Sequence, residues 1–261
     1  VKVALFVGGK GMRLLGEESA VPKALYEIGG RPIVWHIMRM FMAAGMNQFV
    51  LLLGHRGDMI ADYFIHRAPY EGANIRVIGG KPGAPEIQTV GHPQEHWEVT
   101  LCPTGADTEK GERLRRARAH LQDAPDFMAT YGDGLADLDP RALAQFHRNH
   151  GKLATVTAVR VRSQWGHLEI TEDGQVTHLI EKPPMEQWVN GGFFVFKREV
   201  LDLLEPGDTL ESNCLPRLAQ MGQLMAYRHE GFWTAMDTYK DNLALNELWE
   251  TGRAPWKTWQ D

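Results

Sequence analysis

Along the first half of the chain, apolar residues come in short blocks closed by glycine. Val1 to Val7 is almost continuously apolar and stops at Gly8-Gly9, the pattern of a buried parallel strand. Lys10 to Lys23 has no clean period and reads as a long loop. From Pro32 to Ala44 apolar residues recur at helical spacing, with Pro32 suited to a first turn and Gly45 to a stop. Gln48 to Leu53 predicts a second buried strand, Asp58 to His66 a helix and Ile75 to Ile78 a third strand. This β-α-β alternation predicts a doubly wound parallel sheet.

Gly79 to Gln94 is rich in Gly and Pro and reads as an irregular excursion. Beyond it the pattern predicts a strand at His96 to Leu101, a basic helix at Glu112 to Leu121, and a strand at Phe127 to Tyr131 entering Gly132-Asp133-Gly134. A helix at Ala142 to His150 and a strand at Ala154 to Val161 follow. The texture then changes. His167 to Ile170, Val176 to Ile180 and Phe193 to Phe196 are short strands joined by turns such as Glu172-Asp173-Gly174. A helix at Leu215 to Met221, a strand at Leu224 to Tyr227 and a closing helix at Tyr239 to Trp249 complete the chain. The expected fold is α/β, a Rossmann-like doubly wound mixed sheet with a small antiparallel section. With no repeats or linkers, one domain spanning 1–261 is expected.

Composition narrows the partners. A length of 261 residues with 43% hydrophobic content supports a sizeable core. A net charge of −5 gives no broad basic field for a nucleic acid. The two cysteines, Cys102 and Cys214, form neither a disulfide framework nor a metal-ligand spacing. No signal peptide or membrane span is read, so a reduced, cytoplasmic protein without a membrane partner is expected.

The first chemical signal is Gly8-Gly9-Lys10-Gly11-Met12-Arg13-Leu14, directly after the first strand. Glycines there let backbone N–H groups approach a phosphate, and Arg13 and Lys23 add charge. No Gly-Lys-Ser/Thr follows, so this is not a P-loop, and the dinucleotide fingerprint is also incomplete. Taken alone, the loop reads equally well as a tight turn. Asp133 sits between two glycines where a strand ends, at the sheet edge where ligands collect; an Asx turn is the plain alternative. Asp237 precedes a helix, where an N-cap acid is the plain alternative. Two separated aspartates completed by substrate phosphates suit Mg²⁺. Glu181-Lys182-Pro183 ends a strand, where an exposed ion pair is the plain reading, and Asn190, whose amide can both donate and accept, reads as well as a turn former before two glycines. His36, His55, His147 and His178 show no triad or metal spacing.

Six motifs taken together resemble the sugar-nucleotide pyrophosphorylase family, nearly end to end. They are the glycine loop with Arg13, Pro22-Lys23 with Glu27 to Ile33, Tyr131-Gly132-Asp133-Gly134, Glu181-Lys182-Pro183, Asn190-Gly191-Gly192-Phe193-Phe194, and Gly231-Phe232-Trp233 with Met236-Asp237-Thr238. The resemblance implies the nucleotide-diphospho-sugar transferase type of fold, with a nucleotide-binding part at about 1–135 and a sugar-phosphate-binding part at about 136–261. It also implies transfer of a nucleotidyl group to a sugar 1-phosphate, with Mg²⁺ as cofactor and a homo-oligomer as the assembly. It is strongest to members that use CTP and glucose 1-phosphate.

The resemblance further implies that Gly8, Gly9, Gly11, Met12, Arg13, Lys23, Thr104, Gly105 and Arg113 contact the nucleotide. Gly166, Glu181, Lys182 and Asn190 would contact the sugar phosphate, and Asp133 and Asp237 the metal. Arg13, Lys23, Asp133 and Lys182 would carry catalysis, whereas Arg115, Arg116 and Arg118 read as a solvated helix face. The chain departs from the family's pattern at Met12, where threonine is usual, and at Val21 and Ala24 around Pro22-Lys23. It departs again at Arg162-Ser163-Gln164-Trp165-Gly166 and at Ser212-Asn213-Cys214. These departures bear on which nucleotide and sugar are used more than on the reaction class. Other outcomes considered are the same reaction with a different substrate pair, and a regulatory paralogue that keeps the pocket without turnover, an idea Met12 motivates.

Overall fold

The computed structural model describes residues 1–9, 21–68, 74–78, 86–90 and 96–259. Gly11, Met12 and Arg13 therefore lie outside the described residues, as does most of the loop predicted at Lys10 to Lys23. The strands are β1 (Lys2–Phe6), β2 (Glu27–Ile28), β3 (Arg31–Pro32), β4 (Gln48–Leu53), β5 (Asn74–Ile78), β6 (Glu86–Val90), β7 (Glu98–Pro103) and β8 (Asp126–Tyr131). They continue with β9 (Gly134–Ala136), β10 (Ala154–Arg162), β11 (His167–Ile170), β12 (Val176–Ile180), β13 (Pro184–Lys197), β14 (Leu224–His229) and β15 (Trp233–Ala235). The α-helices are α1 (Ile33–Ala43), α2 (Gly57–Asp62), α3 (Lys110–Arg116), α4 (Arg118–Leu121), α5 (Pro140–His150), α6 (Leu215–Gln220) and α7 (Tyr239–Glu250).

Seven strands form the central sheet in the order β14-β10-β13-β8-β1-β4-β7. β1 pairs in parallel with β4 on one side and β8 on the other, while β13 runs antiparallel between β8 and β10. The sheet is thus mixed, as expected. Its strands alternate between two cores. Val3 and Leu5 join one cluster with Ile37, Phe41 and Leu51, whereas Ala4 and Phe6 join another with Leu52, Leu114 and Leu218. This period-two partition is what a strand covered on both faces must show. Because the chain leaves β1 toward β4 and later returns to β8, the carboxyl ends of β1 and β8 bracket a topological switch point, where open α/β sheets bind ligands.

Four sequence expectations change. The strand at Ile75 to Ile78 is not part of the parallel sheet; β5 pairs antiparallel with β6 as a separate hairpin. β6 lies inside the stretch expected to be irregular, where the surrounding Gly and Pro obscured its Glu-Ile-Gln-Thr-Val alternation. Phe193 to Phe196 is not a short strand but the end of the 14-residue β13. Gly191-Gly192 reads as a turn in the sequence, yet β13 passes through it with a shift in register against β10. Finally, the basic helix is two short helices, α3 and α4, parted at Ala117.

Candidate active site

The carboxyl ends of β1 and β8 open into a cavity of about 640 Å³, a size suited to small-molecule ligands. Seven of the sequence-predicted residues line it: Gly8, Gly9, Lys23, Arg113, Asp133, Asn190 and Asp237. They arrive from six separate stretches of chain, so the fold assembles what the sequence holds apart.

Lys23 joins the two aspartates. Its Nζ lies 2.7 Å from Asp133 Oδ2 and 2.7 Å from Asp237 Oδ1. Burial pulls the Lys23 pKa down, but the charges and hydrogen bonds of the two carboxylates outweigh it and raise the value above that of an ordinary lysine. The plain alternatives for both aspartates are answered by their surroundings. At the start of α7 the capping box belongs to Thr238 and Asp241, which leaves the Asp237 carboxylate to face Lys23. Asp133 follows β8 directly, and its carboxylate also meets Lys23.

Two carboxylate oxygens converging on one cationic centre is an arrangement a divalent cation could use. Among the described residues there is no group of three or more His, Cys, Asp or Glu able to hold a metal. A hard cation here would need oxygens from a bound substrate as well, and that donor set fits Mg²⁺.

Arg113 lines the cavity and bonds the Thr104-Gly105 turn, which itself does not line it. Arg113 is only 4% exposed. Its Nη1 donates to Leu53 O at 3.0 Å, Thr104 Oγ1 at 2.6 Å and Gly105 O at 2.8 Å, and its Nη2 to Gly8 O at 3.2 Å. Thr104 Oγ1 in turn donates to Leu53 O at 2.7 Å. One buried guanidinium therefore ties the loop after β1 to the loops after β4 and β7. Gly8 must be glycine here, because a Cβ would fall 2.6 Å from Arg113 Nη1. Arg116 donates to Thr104 O at 2.9 Å and to Glu112 at 2.8 Å, and Arg115 also bonds Glu112. Hydrogen bonds from Arg115 and Arg116 hold the Glu112 carboxyl at about 2, against its burial. Arg115 and Arg116 are thus tied into the α3 framework rather than merely solvated.

Of the four residues that the resemblance assigns to the sugar phosphate, Asn190 lines the cavity but Gly166, Glu181 and Lys182 do not. They sit together beyond β12. A Cβ on Gly166 would stand 3.0 Å from Glu181 Oε2, and Lys182 adopts a left-handed φ of 47°, a costly conformation for a non-glycine residue. The Lys182 carbonyl accepts from Arg162 Nη1 at 3.3 Å.

Sequence reasoning passed over a polar chain across the floor. Lys110 Nζ lies 2.5 Å from Glu211 Oε1, the Tyr131 hydroxyl donates to the same oxygen at 2.7 Å, and Asn190 Nδ2 donates to that hydroxyl at 3.1 Å. Burial and the neighbouring Glu211 raise the Tyr131 pKa well above that of a free phenol. Burial pushes the Glu211 pKa up, but hydrogen bonds from Lys110 and Tyr131 overcome it and hold the carboxyl below its usual range. The available signal was Tyr131 itself, the first residue of the Tyr-Gly-Asp-Gly motif.

A model of the nucleotidyl transferase family matches residues 2–252, and the chain belongs to that family. It is 42% identical over 269 residues to glucose-1-phosphate cytidylyltransferase of Salmonella typhi, covering 100% of both chains. It is 41% identical over 262 residues to a probable glucose-1-phosphate cytidylyltransferase of Bacillus subtilis (strain 168), covering 99% of this chain and 100% of that one. Among solved structures, HddC from Yersinia pseudotuberculosis superposes with a TM-score of 0.66 at 19% identity, over 95% of this chain and 99% of that one; at that identity the likeness speaks for the fold.

Proposed function

We propose that this nucleotidyltransferase moves the cytidylyl group of CTP to glucose 1-phosphate, with Mg²⁺ as cofactor, giving a nucleotide sugar and pyrophosphate. The observation that carries the reading is Lys23 held between Asp133 and Asp237 at the switch point, in one cavity with Asn190 and the Gly8-Gly9 turn. Full-length identity above 40% to cytidylyltransferases supports the choice of substrates.

The attacking group is a phosphate oxygen of the sugar 1-phosphate, already an anion, so no general base is needed. Catalysis then consists of positioning and charge neutralisation. The backbone of the Gly8-Gly9 turn faces the triphosphate, and Arg113 keeps that turn in place. Asn190 bonds a sugar hydroxyl from the far wall. Asp133 and Asp237 would hold Mg²⁺, which when bound stabilises charge on phosphoryl oxygens. Lys23, whose ammonium sits between these carboxylates, would supply positive charge for the phosphates and the leaving pyrophosphate. The resemblance assigns Lys182 and Glu181, which lie outside the cavity, to the sugar-phosphate end, and Arg13 to the triphosphate. Repulsion between the two anionic substrates at contact is on the order of 4 kcal/mol per charge pair at intermediate dielectric, which is why cations surround the reacting centre.

The test is pyrophosphate release with Mg²⁺, each common nucleoside triphosphate and a panel of sugar 1-phosphates. CTP with glucose 1-phosphate is expected to give the highest kcat/KM, and EDTA to stop turnover. Asp133→Ala should lower kcat about 10²- to 10³-fold, the range for a lost electrostatic stabiliser. A higher kcat/KM with another substrate pair overturns the substrate assignment. Activity indifferent to both EDTA and Asp133→Ala overturns the metal assignment.

A further inference from the structure

The chain of contacts from Lys110 to Asn190 does more than fill the cavity floor, because its proton pattern runs one way. Glu211 is a carboxylate and can only accept, so the Tyr131 hydroxyl must donate to it. With its one proton used there, the Tyr131 oxygen can only accept from Asn190. The amide atom facing Tyr131 is therefore Nδ2, and Oδ1 faces the other way. An independent contact requires the same orientation: Gly192 N–H donates to Asn190 Oδ1 at 2.9 Å. A flipped amide would put N–H against N–H at Gly192 and leave no proton between Asn190 and Tyr131.

The geometry of β13 allows this closeness. Gly192 has a φ of 78°, and any Cβ there would collide with the Tyr131 ring. Lys110 closes the chain from the other end, ion-paired with Glu211 Oε1 at 2.5 Å and 4.8 Å above the centre of the Tyr131 ring. It holds the carboxylate in place and compensates the charge beside the phenol.

We infer that Tyr131 and Glu211 are positioning residues for the sugar: they lock the Asn190 amide in one orientation, so that it offers one N–H donor and one carbonyl lone pair to adjacent sugar hydroxyls. The inference rests on the proposed transferase reading and deepens it. An unlocked amide flips and presents its donor and acceptor interchanged. A locked one rewards the sugar whose neighbouring hydroxyls match the fixed pattern and penalises an epimer. Tyr131, which lines the cavity beside Asn190, and Glu211 then act on sugar selectivity through the amide they orient.

The test is steady-state kinetics on wild type, Tyr131→Phe, Glu211→Gln, Asn190→Ala and the Tyr131→Phe/Asn190→Ala double variant, with circular dichroism confirming that each is folded. In Tyr131→Phe the KM for glucose 1-phosphate is expected to rise about three- to ten-fold, the size of one lost neutral hydrogen bond, with CTP KM and kcat little changed. Discrimination between glucose 1-phosphate and galactose 1-phosphate is expected to fall by a similar factor. Glu211→Gln is expected to show the same pattern more weakly, because a glutamine oxygen can still accept from Tyr131. In the Asn190→Ala background, Tyr131→Phe is expected to add nothing, since it acts through an amide no longer present. Additive effects, or a Tyr131→Phe defect shared equally by both substrates, overturn the inference while leaving the transferase reading intact. A folded wild type that releases no pyrophosphate with any pair overturns that reading and this inference with it.

Discussion

Arg113 shows how much one side chain can organise. Its resemblance-based role was contact with nucleotide phosphate. In the structure its donors reach the carbonyls of Gly8, Leu53 and Gly105, so it sits behind the nucleotide loops as their common anchor. Burial lowers its pKa, yet an arginine stays charged, and that charge gives the ends of β1, β4 and β7 a positive floor. In Arg113→Leu the Gly8 and Gly105 carbonyls lose this donor, although Gly8 O keeps the His55 N–H. Stability is expected to fall by about 1.5 to 3 kcal/mol, the scale of hydrogen bonds made by a charged group. Urea unfolding measures it, and a midpoint equal to wild type would mean that the anchor is dispensable. Lys23 makes a complementary point. Its position after the glycine loop was legible from the Pro22-Lys23 motif, but its bridging of Asp133 and Asp237 was not. Those partners lie 110 and 214 residues away, a pairing that only the folded sheet creates.

At the scale of elements, what was legible follows from how local each signal is. β1, β4 and β8 were readable because their residues face cores on both sides and form unbroken apolar runs. The first of these cores holds α1, whose apolar stripe at helical spacing was readable for the same reason. β13 was only half readable. Its inner end, Phe193 to Phe196, is buried, while its outer end from Pro184 to Asn190 mixes exposed Glu186, Gln187 and Asn190 with half-buried Met185, Trp188 and Val189. That outer half is a strand because β10 pairs with it, a fact about the partner rather than about its own pattern. The hairpin of β11 and β12 was read correctly from its turn residues, since Thr171, Gly174 and Gln175 bond to one another locally. The Tyr131–Glu211 contact was invisible for the opposite reason: it spans 80 residues and joins a strand end to the π-helical turn Leu210–Cys214.

Among the described residues, two buried histidines, His36 and His147, link the stability of the whole molecule to pH. His36 lies among Trp35, Trp249, Trp256 and Trp259, where the C-terminal stretch folds back over α1. Its Nε2 meets the Ile28 carbonyl at 2.8 Å, and its Nδ1 accepts from Trp256 Nε1 at 3.3 Å. One nitrogen donates and the other accepts, so the ring is neutral, and burial lowers its pKa to about 4. Burial, joined by the nearby charges of His150, Lys197 and Arg148, lowers His147 to about 4 as well. Both folded values lie below the unfolded value of about 6.5. As pH falls below 6.5 the unfolded chain takes up protons that the folded one refuses, so stability present above 6.5 is lost toward pH 4. The full loss is up to about 3 kcal/mol per ring, from the size of each shift. Urea unfolding at pH 7 and pH 4.5 should show this decline, with uptake approaching two protons; equal stabilities would place both rings outside the acid response.

The central claim is that a sugar phosphate oxygen attacks the α-phosphorus of the triphosphate. It is tested most directly with glucose 1-phosphate carrying ¹⁸O in its phosphoryl oxygens, incubated with CTP and Mg²⁺, with both products read by mass spectrometry. The account predicts a cytidine diphosphate sugar that retains all of the label and pyrophosphate that carries none. Label in the pyrophosphate, or pyrophosphate formed without a nucleotide sugar, would contradict it.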